Sequence, residues 1–340
     1  EEFTIKNLTT EINYGAEVEN GGFTAIIKKG SLFDLNLENS IINLKRKENE
    51  IKIKSLLYTN GVFDFAKIKK ISSILNFNLN NFENIHGTAN LKTNLTFDLD
   101  KRFKLKNLSY STEGNISNIE LHTKEEKIVK KYLPKYDPKI IFKDTNIKFI
   151  KSQSEQIAEL NGLIKITDQF DKFKIKQKYN YDKKNYDIKG TIDLTNSEVN
   201  ILKLNYIKDI TKKSNLSFDI NFVLNKKYNV KKLQFLENQT KINLSNLILN
   251  KNFETEDFKK IEIKTFSNSF KNNDFVVEKS KEILISGEIF DAQPLLKSLY
   301  KKEDKKIFSK DFSSNIKINF NKALTGTNDN VSDFSMIASI

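Results

Sequence analysis

Strict alternation of apolar and polar residues recurs along this 340-residue chain, and it limits the fold more than any other feature. In LTFDL, Leu95, Phe97 and Leu99 point one way while Thr96 and Asp98 point the other. FKIKQKYNY sets Phe173, Ile175, Tyr179 and Tyr181 against Lys174, Lys176 and Lys178. LSFDINFVL aligns Leu216, Phe218, Ile220, Phe222 and Leu224, and SNIKINFNKAL holds Ile316, Ile318 and Phe320 in the same phase. Successive side chains on a strand point to opposite faces, so a period of two marks strands with one apolar and one wet face. About twenty such segments follow one another at intervals of about 10–15 residues. The expected fold class is all-β: a long, twisted, curled antiparallel sheet forming an open, taco-like trough, with a few short helices at the edges.

Composition agrees with a thin body. A hydrophobic fraction of 38% is low for a deep core, yet Phe, Ile and Leu are plentiful and well patterned. With 11 Gly and 3 Pro, turn chemistry falls to Asn, Asp and Lys-rich loops. The net charge of +13 is nearly all lysine; Arg46 and Arg102 are the arginines. Phosphate and base recognition favours the planar fork of Arg, and no lysine cluster stands apart from interleaved acids. Nucleic acid is therefore not an expected partner. The lysines read as a solvated outer face with some attraction to anionic lipid headgroups.

No apolar run is long enough to span a bilayer as a helix. The chain opens at Glu1 with no signal peptide and stops at MIASI within a strand-like segment. That suggests a piece of a longer protein, whose N-terminal anchor would lie elsewhere. The absence of cysteine is compatible with an oxidising compartment.

Three segments break the alternation. Residues 64–75 place Phe65, Ile68, Ile71 and Leu75 at helical spacing behind Asp64, a candidate N-cap. Residues 291–300 do the same with Asp291, then Leu295, Leu296 and Leu299. Residues 123–138, charged and holding two prolines, read as a short helix and a turn, and as a connector between modules 1–122 and 139–340. Residues 90–121 line up with 215–249, each read as three strands with a charged turn after the first, and GVFDF at 61–65 resembles GEIFDA at 287–292. The strand–helix segment 283–300 is expected at an edge or seam of the sheet, its leucines capping apolar surface.

No catalytic constellation emerges. His86 and His122 lack ligand-spaced partners, and His86 reads as a turn residue before Gly87. Asp98 and Asp219 fall at alternating polar positions, Asp193 stands alone, and Asp291 reads as a helix cap. No nucleophile elbow, P-loop or dinucleotide fingerprint is present. The expectation is a non-enzyme with no metal and no small-molecule cofactor.

GTIDLTNSEVNILKLNYIKD (190–209) and ISGEIFDAQPLLKSL (285–299) resemble recurring elements of the AsmA-like envelope proteins, and residues 30–61 resemble the strand series of their YhdP-type members. That resemblance implies curled β-troughs in the periplasm, tethered to the inner membrane. With the TamB-type relatives, such proteins are implicated in moving phospholipid between inner and outer membranes and in outer-membrane biogenesis. It implies no catalytic residues. On this reading Leu95, Phe97, Leu99, Phe173, Ile175, Leu216, Phe218, Ile220, Phe222, Ile316, Ile318 and Phe320 line a groove for phospholipid acyl chains. The alternative is a surface-exposed structural or adhesive β-protein in which the same residues fill a closed core.

Overall fold

The structure, a computed structural model, describes residues 5–15, 22–47, 49–75, 82–123, 127–299, 312–326 and 330–339. The chain is all-β, its large sheet is not closed into a barrel, and the helices are few and short. It divides into two compact units. The first comprises Glu1–Glu125, Asp137–Ile166 and Lys172–Lys183; the second comprises Glu126–Tyr136, Thr167–Asp171 and Lys184–Ile340.

The first unit holds β1 (Ile5–Gly15), β2 (Gly22–Leu32), β3 (Leu35–Lys47), β4 (Glu50–Asp64), helix α1 (Phe65–Leu75), β5 (Phe82–Asp100), β6 (Leu105–Thr123), β7 (Lys139–Lys151), β8 (Glu155–Lys165) and most of β9 (Phe170–Asn180). From β1 to β8 each strand pairs antiparallel with its chain neighbour. Residues directly opposite across a pair share a face. Leu44 opposes Ile53, Ile53 opposes Phe97, and Leu95 opposes Tyr110. Further along, Gly114 opposes Ile147, and Ile147 opposes Leu160. The alternation within each strand is thus held in phase from strand to strand, and one face of the unit is predominantly apolar.

Bulges keep that phase where strands would drift. Glycine is scarce, so Asn and Asp take the left-handed positions, Asn39 at φ 47° and Asp144 at φ 46°. Each is followed by a fully buried hydroxyl. Ser40 donates to the Glu38 carbonyl at 3.0 Å, and Thr145 donates to the Lys143 carbonyl at 3.1 Å. Across from Thr145 lies Gly162, where an added Cβ would come within 2.6 Å of the Thr145 Cα. The backbones approach too closely there for any other residue.

The second unit holds α2 (Lys127–Tyr132), β10 (Asn185–Asp193), β11 (Val199–Ile201), a 3-10 turn (Leu202–Leu204), β12 (Tyr206–Lys208), β13 (Ser214–Val223), β14 (Lys227–Glu237), β15 (Thr240–Asn250), β16 (Thr255–Asp257), β17 (Lys260–Ser267), β18 (Phe270–Lys279), β19 (Ile283–Asp291), α3 (Gln293–Leu299), β20 (Asn315–Leu324) and β21 (Val331–Ser339). β10 pairs with β13, and the meander runs on through β14, β15, β17, β18 and β19. β11 and β12 form a separate two-stranded ribbon.

Several expectations are corrected. The sheet is mixed, because β19 and β20 run parallel, with Ile283 opposite Ile316 and Gly287 opposite Phe320. Parallel neighbours need a crossover, and α3 lies between these two strands in the chain. β19 is accordingly no edge: it pairs with β18 on one side and β20 on the other. Leu295 and Leu296 stay exposed rather than capping the sheet. Ile71, Leu75, Leu299 and residue 300 lie outside the side chains described, as do residues 124–126 of the connector.

His86 lies within β5, opposite Asp64 on the wet face, not in a turn. Residues 90–121 form two strands rather than three, because Thr112–Asn115 stay paired to both β5 and β7. At the equivalent place in 215–249, Asn238 at φ 47° turns the chain between β14 and β15.

Candidate functional site

The candidate site is the apolar face of each unit. In the first, Leu95, Phe97 and Leu99 oppose Ser55, Ile53 and Ile51. Phe173 packs edge-on against Phe142 at 5.1 Å, and Ile175 follows two residues on. In the second, Leu216, Phe218, Ile220 and Phe222 oppose Ile192, Gly190, Ile188 and Tyr186 on one side. On the other side they oppose Phe235, Leu233, Val230 and Tyr228. Ile316, Ile318 and Phe320 oppose Ala338, Met336 and Phe334. Within its own unit, each of the twelve predicted residues therefore sits on the apolar face. Phe173 and Phe320 are buried, at 3% and 5% exposure; the other ten are half-buried. Half-burial is what a sheet face gains from its own neighbours, whereas a second sheet packed over it would leave almost nothing accessible.

Aromatic side chains pave part of this surface. Tyr186, Phe222, Tyr228 and Phe253 stack in sequence with centroids 5.0, 5.4 and 4.8 Å apart. Phe275, Phe290 and Phe320 form a second group at 5.0–5.6 Å. Polar groups interrupt it: the Thr93 and Thr112 hydroxyls hydrogen-bond each other at 3.0 Å, and the buried Tyr110 hydroxyl has no hydrogen-bond partner among the described residues. Burial pushes the Tyr110 phenol well above its ordinary pKa, so it stays neutral beside Phe149. The opposite face is a lattice of exposed ion pairs, among them Lys92–Glu113, Lys139–Glu120, Lys176–Glu159 and Lys189–Asp219. Such pairs add little stability but keep that face wet.

One end of each apolar face is covered. In the first unit α1 does this, with Phe65 and Ile68 packed on Leu35, Phe63, Ile85, Ala89 and Ile116. Asp64 caps the helix by accepting from the Lys67 N–H at 2.8 Å. In the second unit the cover is the segment from Leu194 to Lys213, and it is polar. Tyr206 lies edge-on to Phe235 and donates its hydroxyl to Glu237 at 2.9 Å. Burial, then that carboxylate, push its pKa far up. Lys208, at 0% exposure, gives its three ammonium protons to the carbonyls of Leu194 (2.6 Å), Thr195 (3.0 Å) and Ser197 (2.7 Å). Desolvation lowers its pKa. Beside it Asp171 accepts from Ser197 Oγ and the Asn196 N–H, and burial raises its pKa.

The cover docks on the strand ends by amide hydrogen bonds. Asn273 Nδ2 donates to the Leu204 carbonyl at 2.8 Å, and Asn205 Nδ2 donates to Asp291 Oδ2 at 2.8 Å. Asp291 also accepts from the Gln293 N–H at 3.1 Å, so it both caps α3 and holds the cover. The segments 190–209 and 285–299 therefore meet at Asn205 and Asp291. A depression of about 680 Å³ at this end is lined by polar groups including Asn205, Asp209, Lys212, Glu237 and Asn268. It is too polar to take acyl chains.

Sequence reasoning missed Tyr206, Lys208, Glu237 and Asn273. Alternation in NYIKD places Tyr206 and Lys208 on one face, but a lysine in an alternating strand reads as solvent-facing. The only signal is that Lys208 shares parity with a tyrosine rather than with its polar neighbours. No family model, curated protein or solved structure matches the chain.

Proposed function

We propose that the apolar face of each unit binds the acyl chains of phospholipids, and that the protein is a non-enzymatic segment of a bridge-like lipid-transfer protein of the cell envelope. The observation that carries this reading is the phase-locked apolar face, most of it half-exposed, with the cover found among the described residues lying at one end of each unit.

The chemistry is that of a solvent. A phospholipid carries roughly 30 methylenes, each costing about 0.8 kcal/mol to expose to water, so an unaided aqueous crossing costs about 20 kcal/mol or more. An apolar surface removes most of that cost while the headgroup stays in water. It needs continuity rather than specific polar contacts, which is what strand-by-strand alternation supplies. The route between inner and outer membranes, and tethering at the inner membrane, rest on the AsmA-like resemblance. Among the described residues no helix is long and apolar enough to cross a membrane.

Lipid extraction from the purified protein, quantified by mass spectrometry, tests the reading. Phospholipid is expected at one or more molecules per chain, falling at least tenfold in a Phe97→Glu, Ile220→Glu double variant that retains its circular dichroism. Both positions are half-exposed, so a charge there is tolerated by the fold but not by a bound acyl chain. Lipid-free protein, or a load unchanged in the variant, would overturn the proposal in favour of a structural or adhesive role.

A further inference from the structure

Two turns of the chain, one in each unit, are built alike. Between β5 and β6, Asp100 Oδ1 accepts from the Arg102 and Lys104 N–H groups at 2.8 and 3.0 Å, and Phe103 stands at φ 59°. Between β15 and β16, Asn250 Oδ1 accepts from the Asn252 and Glu254 N–H groups at 2.9 and 3.0 Å, and Phe253 stands at φ 62°. A bulky residue in the left-handed region is strained, and it persists where its side chain has a use. Phe253 has one: it extends the aromatic stack, against Tyr228 at 4.8 Å. Phe103 stacks on no ring among the described residues and is 73% exposed. The flanks differ as well. Lys101, Arg102 and Lys104 are exposed and have no acidic partner among the described residues, and Leu105 is exposed beside them. Phe253 is followed by Glu254, and Glu256 lies just beyond.

The turn at Phe103 lies at the end of the first unit's sheet away from α1, since Asp64 opposes His86 and Glu50 opposes Asp100. Two cations stand on the apolar face itself at that end. Arg46 is opposite Ile51 and two residues on from Leu44, and Lys151 is opposite Tyr110 and two residues on from Phe149. On the same face the exposed Tyr14 and Phe23 pair their rings at 4.9 Å, and Phe23 opposes Leu44. Against the cations stand Glu50, Asp98 and Asp100, of which Asp98 accepts from Asn107 and Asp100 is paired with Lys106. Rings and cations on one rim match an anionic bilayer, whose surface is negative and whose next few ångströms are apolar. An acidic protein surface would leave Phe103 without a contact, and an apolar one would bury unpaired cations at a cost. We propose that this end of the first unit docks on an anionic phospholipid bilayer. Phe103 and Leu105 enter the interface, and Arg46, Lys101, Arg102 and Lys104 hold headgroup phosphates. The docking does not depend on what the apolar face binds.

The sequence contains no tryptophan, so Phe103→Trp is a single fluorescent reporter and Phe253→Trp is its control in the equivalent turn. With vesicles of phosphatidylcholine and phosphatidylglycerol, the emission of Phe103→Trp is expected to move to shorter wavelength while that of Phe253→Trp stays fixed. Vesicles of phosphatidylcholine alone should move neither. Flotation should show the native chain bound to the anionic vesicles, about tenfold more weakly with Phe103→Asp and about fivefold more weakly with Arg102→Gln. Aspartate is at home in the left-handed region, so Phe103→Asp leaves the turn intact. Phospholipid extracted from the purified Phe103→Asp protein should match the native load, which separates a failure of docking from a failure of acyl binding. Absence of flotation with anionic vesicles overturns the proposal. So does binding without a shift at position 103, which is adsorption by charge alone, and so do equal shifts at both positions, which place the contact elsewhere.

Discussion

The two units close one end of an apolar face by opposite means. In the first, α1 lays Phe65 and Ile68 on an apolar cluster, and its polar contacts with the sheet include the cap at Asp64 and an exposed hydrogen bond from Lys67 Nζ to the Val62 carbonyl. In the second, the segment from Leu194 to Lys213 is fastened by a buried tyrosine, a buried lysine and amide contacts to Asn205 and Leu204. Apolar burial is non-directional, so a helix can shift on its cluster and lose energy only in proportion to the area uncovered. A buried polar network holds one geometry and fails as a unit when any member is left unpaired. The cover of the second unit is therefore expected to be rigid, and that of the first to be the more mobile.

The sharpest way to break this contrast is Lys208→Met. It removes three hydrogen bonds from a buried ammonium and leaves the Ser197 carbonyl without it, while the Leu194 and Thr195 carbonyls keep the N–H groups of Ser197 and Thr211, and it is expected to cost about 3 kcal/mol. Hydrogen exchange should place the loss in the second unit, with first-unit protection unchanged. Phe63→Ala is the mirror experiment, expected to cost about 3 kcal/mol in the first unit only.

A finer comparison uses the two aspartates that begin helices after similar sequences. Asp291→Ala removes a cap and strands the Asn205 amide, and should cost about 2–3 kcal/mol by urea unfolding. Asp64→Ala removes a cap alone, and about 1 kcal/mol is expected. Equal costs would mean the polar cover is not fastened through Asp291.

The smallest effect lies on the wet face. The Asn243 amide, then Lys260 and Lys241, hold the Glu262 pKa down at about 2, below the ordinary 4.5. A carboxyl depressed in the folded state stabilises above its unfolded value, and that stability is lost as pH falls through about 2. Glu262→Gln should flatten the acid side of the stability curve in that window, modestly, because the group is partly solvated.

How far these features were legible depends on what alternation encodes. Parity within a strand is fixed by the pleat, so Phe97 and Ile220 could be placed on a face from sequence alone. Burial is not encoded by parity, and Lys208 was for that reason read with the solvated lysines. Pairing direction was also hidden. GVFDF and GEIFDA both lead from strand to capped helix, yet β5 returns antiparallel to β4 whereas β20 runs parallel to β19. The third strand expected within 90–121 is instead the continuation of β6, where Gly114 lies in mid-strand with the Asn90 carbonyl too close for a side chain.

The central claim is that one face of each sheet is a lipid surface, and adjacent residues on one strand test it most directly. A photo-crosslinking side chain would be placed in turn at Phe97, Asp98, Asp219 and Ile220, and the protein exposed to phospholipid vesicles. Phe97 and Ile220 should capture lipid while Asp98 and Asp219, one residue away on the wet face, capture none. Capture at all four positions alike, or at none, would contradict the account.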